Sequence, residues 1–184
     1  MTDQDLDLHE NPGKDQGPGP NPPRETQVNV TLTGFDAAGS AQFVLQPAGN
    51  DPLPPPQGPN QTLTFRNQDQ NGVGHNGLDV TFVLTDNTHQ GYGFPPNNKK
   101  QDAISSQLGA TDFCPVQGMN EVLSVINVSG PNNNTLRVHN PNQNKQGGPN
   151  LTGLFSYVLW VTKDNGATYV PLDPGGNNMN GATH

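Results

Sequence analysis

Cysteine is nearly missing from this chain. Cys114 stands alone in 184 residues, so no disulfide can close within the chain, and the paired cysteines of a zinc ribbon or redox motif are excluded. Cations are scarce as well: 8 Lys and Arg face 16 Asp and Glu, for a net charge of -8. Binding to nucleic acid needs clustered cations to release counterions. Lys99-Lys100 is the one adjacent basic pair, so nucleic acid is excluded as a partner and an anionic membrane surface is disfavoured. Apolar side chains make up 29% and aromatics 6%, against a usual apolar share of about 45–50% on a count that includes Gly. No apolar run approaches a membrane span. The first residues, MTDQDLDLHENPGKDQ, have neither the basic nor the apolar segment of a signal peptide. The expected location is the cytoplasm, or an assembly released from the cell without a signal.

What is plentiful is turn chemistry. Gly 22 and Pro 19 are both high, and Asn with Gln supplies roughly a fifth of the chain, well above ordinary usage. These residues are poor in helix interiors and favoured in turns. The composition therefore points to short strands joined by long polar loops. Sparse charge also lowers mutual repulsion, so self-association comes easily.

Residues 1–25 read as an acidic, Pro/Gly-rich arm with too little apolar content to fold alone. Its Asp3, Asp5 and Asp7 lack the Gly and terminal Glu of a calcium loop. Residues 26–184 read as a single domain. Gln27–Thr33 alternates Val28, Val30 and Leu32 with polar residues, the pattern of a half-buried strand. Strands are also expected at 41–46, 61–66, 78–84, 121–128 and 134–140, and a short one at 89–94. The prolines between 47 and 60 mark a loop that cannot pair within a sheet. Residues 102–108 are the one place where a helical turn is expected. The run 154–170 predicts a hairpin: an apolar stretch breaks at Lys163-Asp164-Asn165-Gly166, resumes at Ala167, and stops at Asp173-Pro174-Gly175-Gly176. The sum is an all-β, antiparallel sandwich of about 7–9 strands.

The stretches Leu136-Arg-Val-His-Asn-Pro-Asn142, Phe155-Ser-Tyr-Val-Leu159 and Leu172-Asp-Pro174 resemble the C-terminal half of the DP-EP family of small bacterial β-sandwich proteins. Asp173, Pro174 and Asn178 match the Asp-Pro-x-x-x-Asn ending of that family. Gly175-Gly176 stand near the place where it has an apolar residue, which departs from the pattern. The resemblance covers the last third of the chain. It implies an immunoglobulin-like sandwich and a soluble intracellular protein, and it carries no active site over.

Catalytic and metal motifs fail on spacing. A blue-copper site needs two His, one Cys and a weak axial Met. His75, Cys114, His139 and Met119 or Met179 supply the types, but no His lies between Cys114 and Met119. His9, His75, His89, His139 and His184 are scattered, with no zinc spacing. Ser105-Ser106 sits in no nucleophile motif, and beyond the arm the one Glu is Glu121, so paired-carboxylate chemistry lacks a partner. Asp79, Asp86, Asp102, Asp112, Asp164 and Asp173 fall mostly at expected turns, where Asp caps backbone amides. Gly72-Val-Gly74 and Gly91-Tyr-Gly93 have no following helix to hold a phosphate. No cofactor is expected, and the protein reads as non-enzymatic.

Two readings remain. In the first hairpin strand Phe155, Tyr157, Leu159 and Val161 face one way, while Leu154, Val158 and Trp160 face the other. A sandwich strand ordinarily wets one face, so the second apolar face calls for a cover and marks an interaction surface. That points to a structural or assembly protein that self-associates through this face or through the arm, as a homo-oligomer. The alternative is a lectin-like module binding a glycan or small ligand with Asn/Gly loops around Tyr92, Trp160 or Tyr169.

Overall fold

The computed structural model describes residues 21–58, 61–109, 115–141, 153–173 and 175–179, with backbone alone at 153–154 and 175–179. The described fold is mostly β. Its strands are β1 (Arg24–Phe35), β2 (Ala41–Ala48), β3 (Leu63–Arg66), β4 (Leu78–Asp86), β5 (Ile104–Leu108), β6 (Ser124–Ser129), β7 (Thr135–Asn140), β8 (Gly153–Val161), β9 (Val170–Leu172) and β10 (Gly175–Met179). They form two sheets, ordered β2-β1-β4-β7-β6 and β3-β10-β8-β5, with β9 also on β8. Short 3₁₀ turns cover Asn97–Ala103 and Pro131–Asn133.

The alternating stretches became strands because one face of each is apolar. Val28, Val30 and Leu32 of β1, Phe82 of β4, and Leu136 and Val138 of β7 have no exposed surface. They share one core with Leu63 and Phe65 of β3, Ile104 of β5 and Tyr157 and Leu159 of β8. Phe82 and Tyr157 meet across the two sheets at 6.3 Å between ring centroids, and Phe65 stands edge-on to Tyr157 at 5.7 Å. Each such ring contributes about 1.5–3 kcal/mol by burial alone. A small apolar supply is thus concentrated in one layer.

Several expectations need correction. The sheets are not purely antiparallel: β1 runs parallel to β4, and β10 parallel to β3. Residues 104–108 are strand β5, and the helical turn lies just before it. Ile104, Ser105 and Ser106 are all fully buried, so these serines hide a strand behind polar side chains. No strand forms over 89–94; positive φ at His89 (57°) and Gly91 (82°) breaks the extended backbone. Strand β1 starts at Arg24, inside the expected arm. Arg24 is buried, donating from Nε to Asp51 Oδ2 at 2.5 Å and from Nη2 to Asp51 Oδ1 at 2.8 Å.

The 154–170 hairpin is present but differently bounded. Its loop runs from 162 to 169, and pairing resumes only at Val170. Asp173-Pro174 does not end it. Trp160 pairs with Pro171, and Ser156 with Gly175, in one unbroken register. β9 ends at Leu172, and the same register resumes at Gly175 as β10.

Sheet edges are guarded. The Gln61 side chain stands in for a strand beside β2: Leu45 N–H donates to its Oε1 at 2.7 Å, and its Nε2 donates to the Phe43 carbonyl at 2.6 Å. The 3₁₀ turn covers the edge of β6, where Lys100 Nζ reaches the Ile126 carbonyl at 2.6 Å. Residues 119–121 pair beside β5, through Ser106 N–H to the Met119 carbonyl (2.7 Å) and Glu121 N–H to the Ser106 carbonyl (2.8 Å). Such devices block edge-to-edge pairing between copies.

Candidate functional site

Three loops meet at one end of the fold: 87–96 after β4, the Pro131–Asn133 turn between β6 and β7, and 162–169 between β8 and β9. The middle strip of the first loop is clamped by the other two. Gly93 and Thr162 exchange two backbone hydrogen bonds (2.9 and 2.8 Å), and Phe94 N–H donates to the Asn133 carbonyl at 2.9 Å. A Cβ on Gly93 would stand 1.9 Å from the Asn132 carbonyl oxygen, so only glycine fits. Lys99 Nζ braces the third loop through the Gly166 carbonyl at 2.9 Å.

Two adjoining clefts result. The larger, about 420 Å³, is lined by Leu84, Asp86, His89, Tyr92, Asn132 and Asn134 among others. The smaller, about 210 Å³, lies against Phe94, Asn132, Asn133, Thr162, Lys163 and Asn165. Gly91 and Asn132 border both. Among the described residues, four of the five non-glycine residues with positive φ line these clefts: His89, Asn132, Asn133 and Asn165. Left-handed backbone at a non-glycine residue costs about 1–2 kcal/mol and is concentrated at functional sites. No hydrogen bond among the described residues holds the side-chain amides of Asn132, Asn133 or Asn165.

The carboxylates beside the clefts serve the loops themselves. Asp86 Oδ2 accepts from the Gly91 and Tyr92 amides at 2.9 Å each. Burial pushes its carboxyl up, but the bonds from Thr88, Tyr92 and Gly91 outweigh that and hold it below the usual range. Asp164 Oδ1 accepts from the Thr162 hydroxyl at 2.6 Å and from the Ala167 and Thr168 amides at 3.0 and 2.8 Å. Those bonds, the Thr162 hydroxyl foremost, hold Asp164 well below the usual carboxylate range. Tyr169 donates to Asp102 Oδ2 at 2.9 Å, and burial together with that carboxylate pushes its hydroxyl up to about 12.

The aromatic and apolar residues singled out in the sequence do not gather at one site. Tyr92 lies at the larger cleft, 8% exposed, packed on Phe35 at 5.6 Å, with Lys163 Nζ 5.7 Å from its ring centroid. Trp160 lies on the outer face of β8, partly exposed, its indole N–H donating to Ser105 Oγ at 2.9 Å. Val158 on the same face is fully enclosed. The side chain of Leu154 lies outside the described residues.

Cys114, Asp112, residues 1–20 and the Met179 side chain also lie outside the described residues. Among the described residues, no group of three or more His, Cys, Asp or Glu could hold a metal ion. His75 Nδ1–H donates to the Pro22 carbonyl at 2.8 Å. Ser106 Oγ accepts from the Val122 and Leu123 amides (3.1 and 2.9 Å), and Glu121 Oε2 accepts from the Leu108 amide (3.0 Å).

A polar row crosses the outer face of the first sheet. Glu25, Asp79, His139 and Ser124 are paired in register on β1, β4, β7 and β6. His139 Nδ1–H donates to Asp79 Oδ1 at 2.7 Å, and Arg137 donates to Asp79 Oδ2 (2.8 Å) and Glu25 Oε1 (2.6 Å). Ser, His and Asp are adjacent, but the Ser124 hydroxyl donates to the His139 carbonyl at 3.4 Å. The imidazole leans over Gly77, where a Cβ would stand 2.8 Å from its Cε1. Nucleophilic catalysis requires a hydrogen bond from hydroxyl to imidazole, and this hydroxyl is turned to the backbone instead.

No protein-family model matches the chain, and no curated protein matches it. Sequence reasoning named Tyr92 at the loop end but missed His89, Asn132, Asn133, Lys163 and Asn165. The runs Pro131-Asn-Asn-Asn134 and Asp164-Asn-Gly166 were their one local signal.

Proposed function

We propose that this protein is a non-enzymatic binding module that takes a saccharide at its loop end, on an immunoglobulin-like sandwich of the kind found in the DP-EP family it resembles. The observation that carries this reading is the pair of adjoining clefts lined by unclaimed Asn amides on strained backbone. A primary amide offers a donor and an acceptor together, which suits the paired hydroxyls of a sugar ring. Preformed concave sites with a few placed polar groups are the usual form of a ligand site.

Self-association has less support. Val158 is already enclosed, and the edges of β2, β5 and β6 are capped. Among the described residues the exposed large apolar side chains, Val44, Val73, Leu108, Val116 and Ile126, come from separate elements, and such scattering is normal for a surface.

Titration calorimetry against a panel of oligosaccharides tests the binding reading. Millimolar or tighter binding is expected, weakened at least fivefold in an Asn132→Ala/Asn165→Ala variant of unchanged stability. Absence of binding across the panel, or binding indifferent to both substitutions, overturns it.

A further inference from the structure

The two clefts differ in charge. Among the residues lining the smaller one, Lys163 is the single ionisable group. The larger holds Asp86, which remains anionic. In a chain of net charge -8 with 8 basic residues, a recess lined by a cation and by no acid stands out.

Lys163 also forms no ion pair among the described residues. Arg24 is paired with Asp51, and Arg137 with Glu25 and Asp79. Lys99 and Lys100 donate to backbone carbonyls. The ammonium of Lys163 has neither kind of partner; it donates to the neutral Gln90 Oε1 at 3.5 Å and lies over the Tyr92 ring. A cation above an aromatic face is held in position without being neutralised. The neighbouring Asp164 is ionised, but its Oδ1 is directed to Thr162, Ala167 and Thr168, and it lines neither cleft.

From this we infer that the ligand is an acidic saccharide. Its carboxylate enters the smaller cleft against Lys163, flanked by the amides of Asn132, Asn133 and Asn165. The adjoining neutral ring lies in the larger cleft, beside Tyr92 and Asn134. A volume of about 210 Å³ falls below the roughly 300–1,000 Å³ of a complete ligand site, which suits one charged group or ring and leaves the rest of the chain to the larger cleft. This inference rests on the saccharide reading above and adds the chemical class.

The test compares a uronate-containing disaccharide with its neutral counterpart, on the full chain and on Lys163→Gln and Lys163→Arg variants, at low and high salt. Expected is three- to tenfold tighter binding of the uronate at low salt, the scale of an exposed charge-assisted contact. Lys163→Gln should abolish that preference, Lys163→Arg should retain most of it, and salt should erase it. Equal binding of both sugars, unaffected by Lys163→Gln, overturns the acidic assignment while the saccharide reading stands. Binding of neither sugar overturns both. Binding of a short poly-glutamate peptide without the uronate would show a carboxylate site for peptides, and would also overturn the saccharide class.

Discussion

Replacing Gly93 by Ala gives the sharpest check on how the loop end is built. The added Cβ would stand 1.9 Å from the Asn132 carbonyl oxygen and 3.1 Å from its carbonyl carbon. The two backbones must therefore part by about 1.5 Å to restore ordinary contact. That movement strains three hydrogen bonds: both between Gly93 and Thr162, and the one from Phe94 N–H to the Asn133 carbonyl. At about 1 kcal/mol each, their loss comes to roughly 3 kcal/mol. Against this stands a gain of about 0.4–1 kcal/mol, because alanine restricts the unfolded chain. The net expectation is a loss of about 2–3 kcal/mol, or about 4–10 °C in Tm for a domain of this size. Urea and thermal unfolding followed by tryptophan fluorescence measure it. Gly91→Ala is the control: φ there is +82° and a Cβ meets nothing within 4 Å, so only the backbone cost of about 1 kcal/mol applies. A Gly93→Ala protein within 0.5 kcal/mol of the parent would refute the clamp.

Three further outcomes follow from the geometry. Gln61→Ala frees the Leu45 amide and the Phe43 carbonyl on β2; it should cost about 1–2 kcal/mol and produce larger species in light scattering at high concentration, and an unchanged monomer would contradict the edge-capping role. Asp164 has a folded pKa below its unfolded value, so its contribution is present above the unfolded pKa and is lost only as pH falls through the lower, folded one; the Ala167 and Thr168 amides should stay protected from hydrogen exchange at pH 3.5, and loss of protection there would count against the bonds described. Ser105→Ala removes the acceptor of the one indole N–H and should cost about 1 kcal/mol with a shift in Trp160 emission; identical spectra would show that the bond does not persist in solution.

The strands that could be read in the sequence are those whose burial is written in side chains. Val28-Asn-Val-Thr-Leu32 and Leu136-Arg-Val138 alternate because one face meets the opposite sheet. Strand β5 escaped because Ser105 and Ser106 are buried yet polar, each satisfied by a partner distant in sequence. Strand β10 escaped because Gly175-Gly-Asn-Asn178 carries no apolar pattern; backbone pairing with β3 and β8 places it. The parallel pairings are a matter of topology, which local periodicity does not encode. At the loop end the Asn-rich turns were visible as turns. Their convergence depends on contacts between residues far apart in the chain, Gly93 with Asn132 and Thr162 and Phe94 with Asn133.

The position of β10 also bears on how the molecule comes to exist during synthesis. It is the last strand in chain order, yet it lies inside its sheet, between β3 and β8. Strand β3 is made early and, among the described residues, pairs with no other strand of that sheet. While the ribosome is still translating the middle of the chain, Leu63 and Phe65 are carried by a strand that has nowhere to dock. Pairings between such distant segments form slowly, and unpaired strands awaiting a partner are prone to aggregate. A polypeptide stopped short of residue 175 would retain most of the apolar side chains of the core but lack the piece that joins β3 to β8. Completion of the second sheet therefore waits until residues 175–179 have been made, and termination before them should yield a product cleared by chaperones and proteases rather than a smaller working protein.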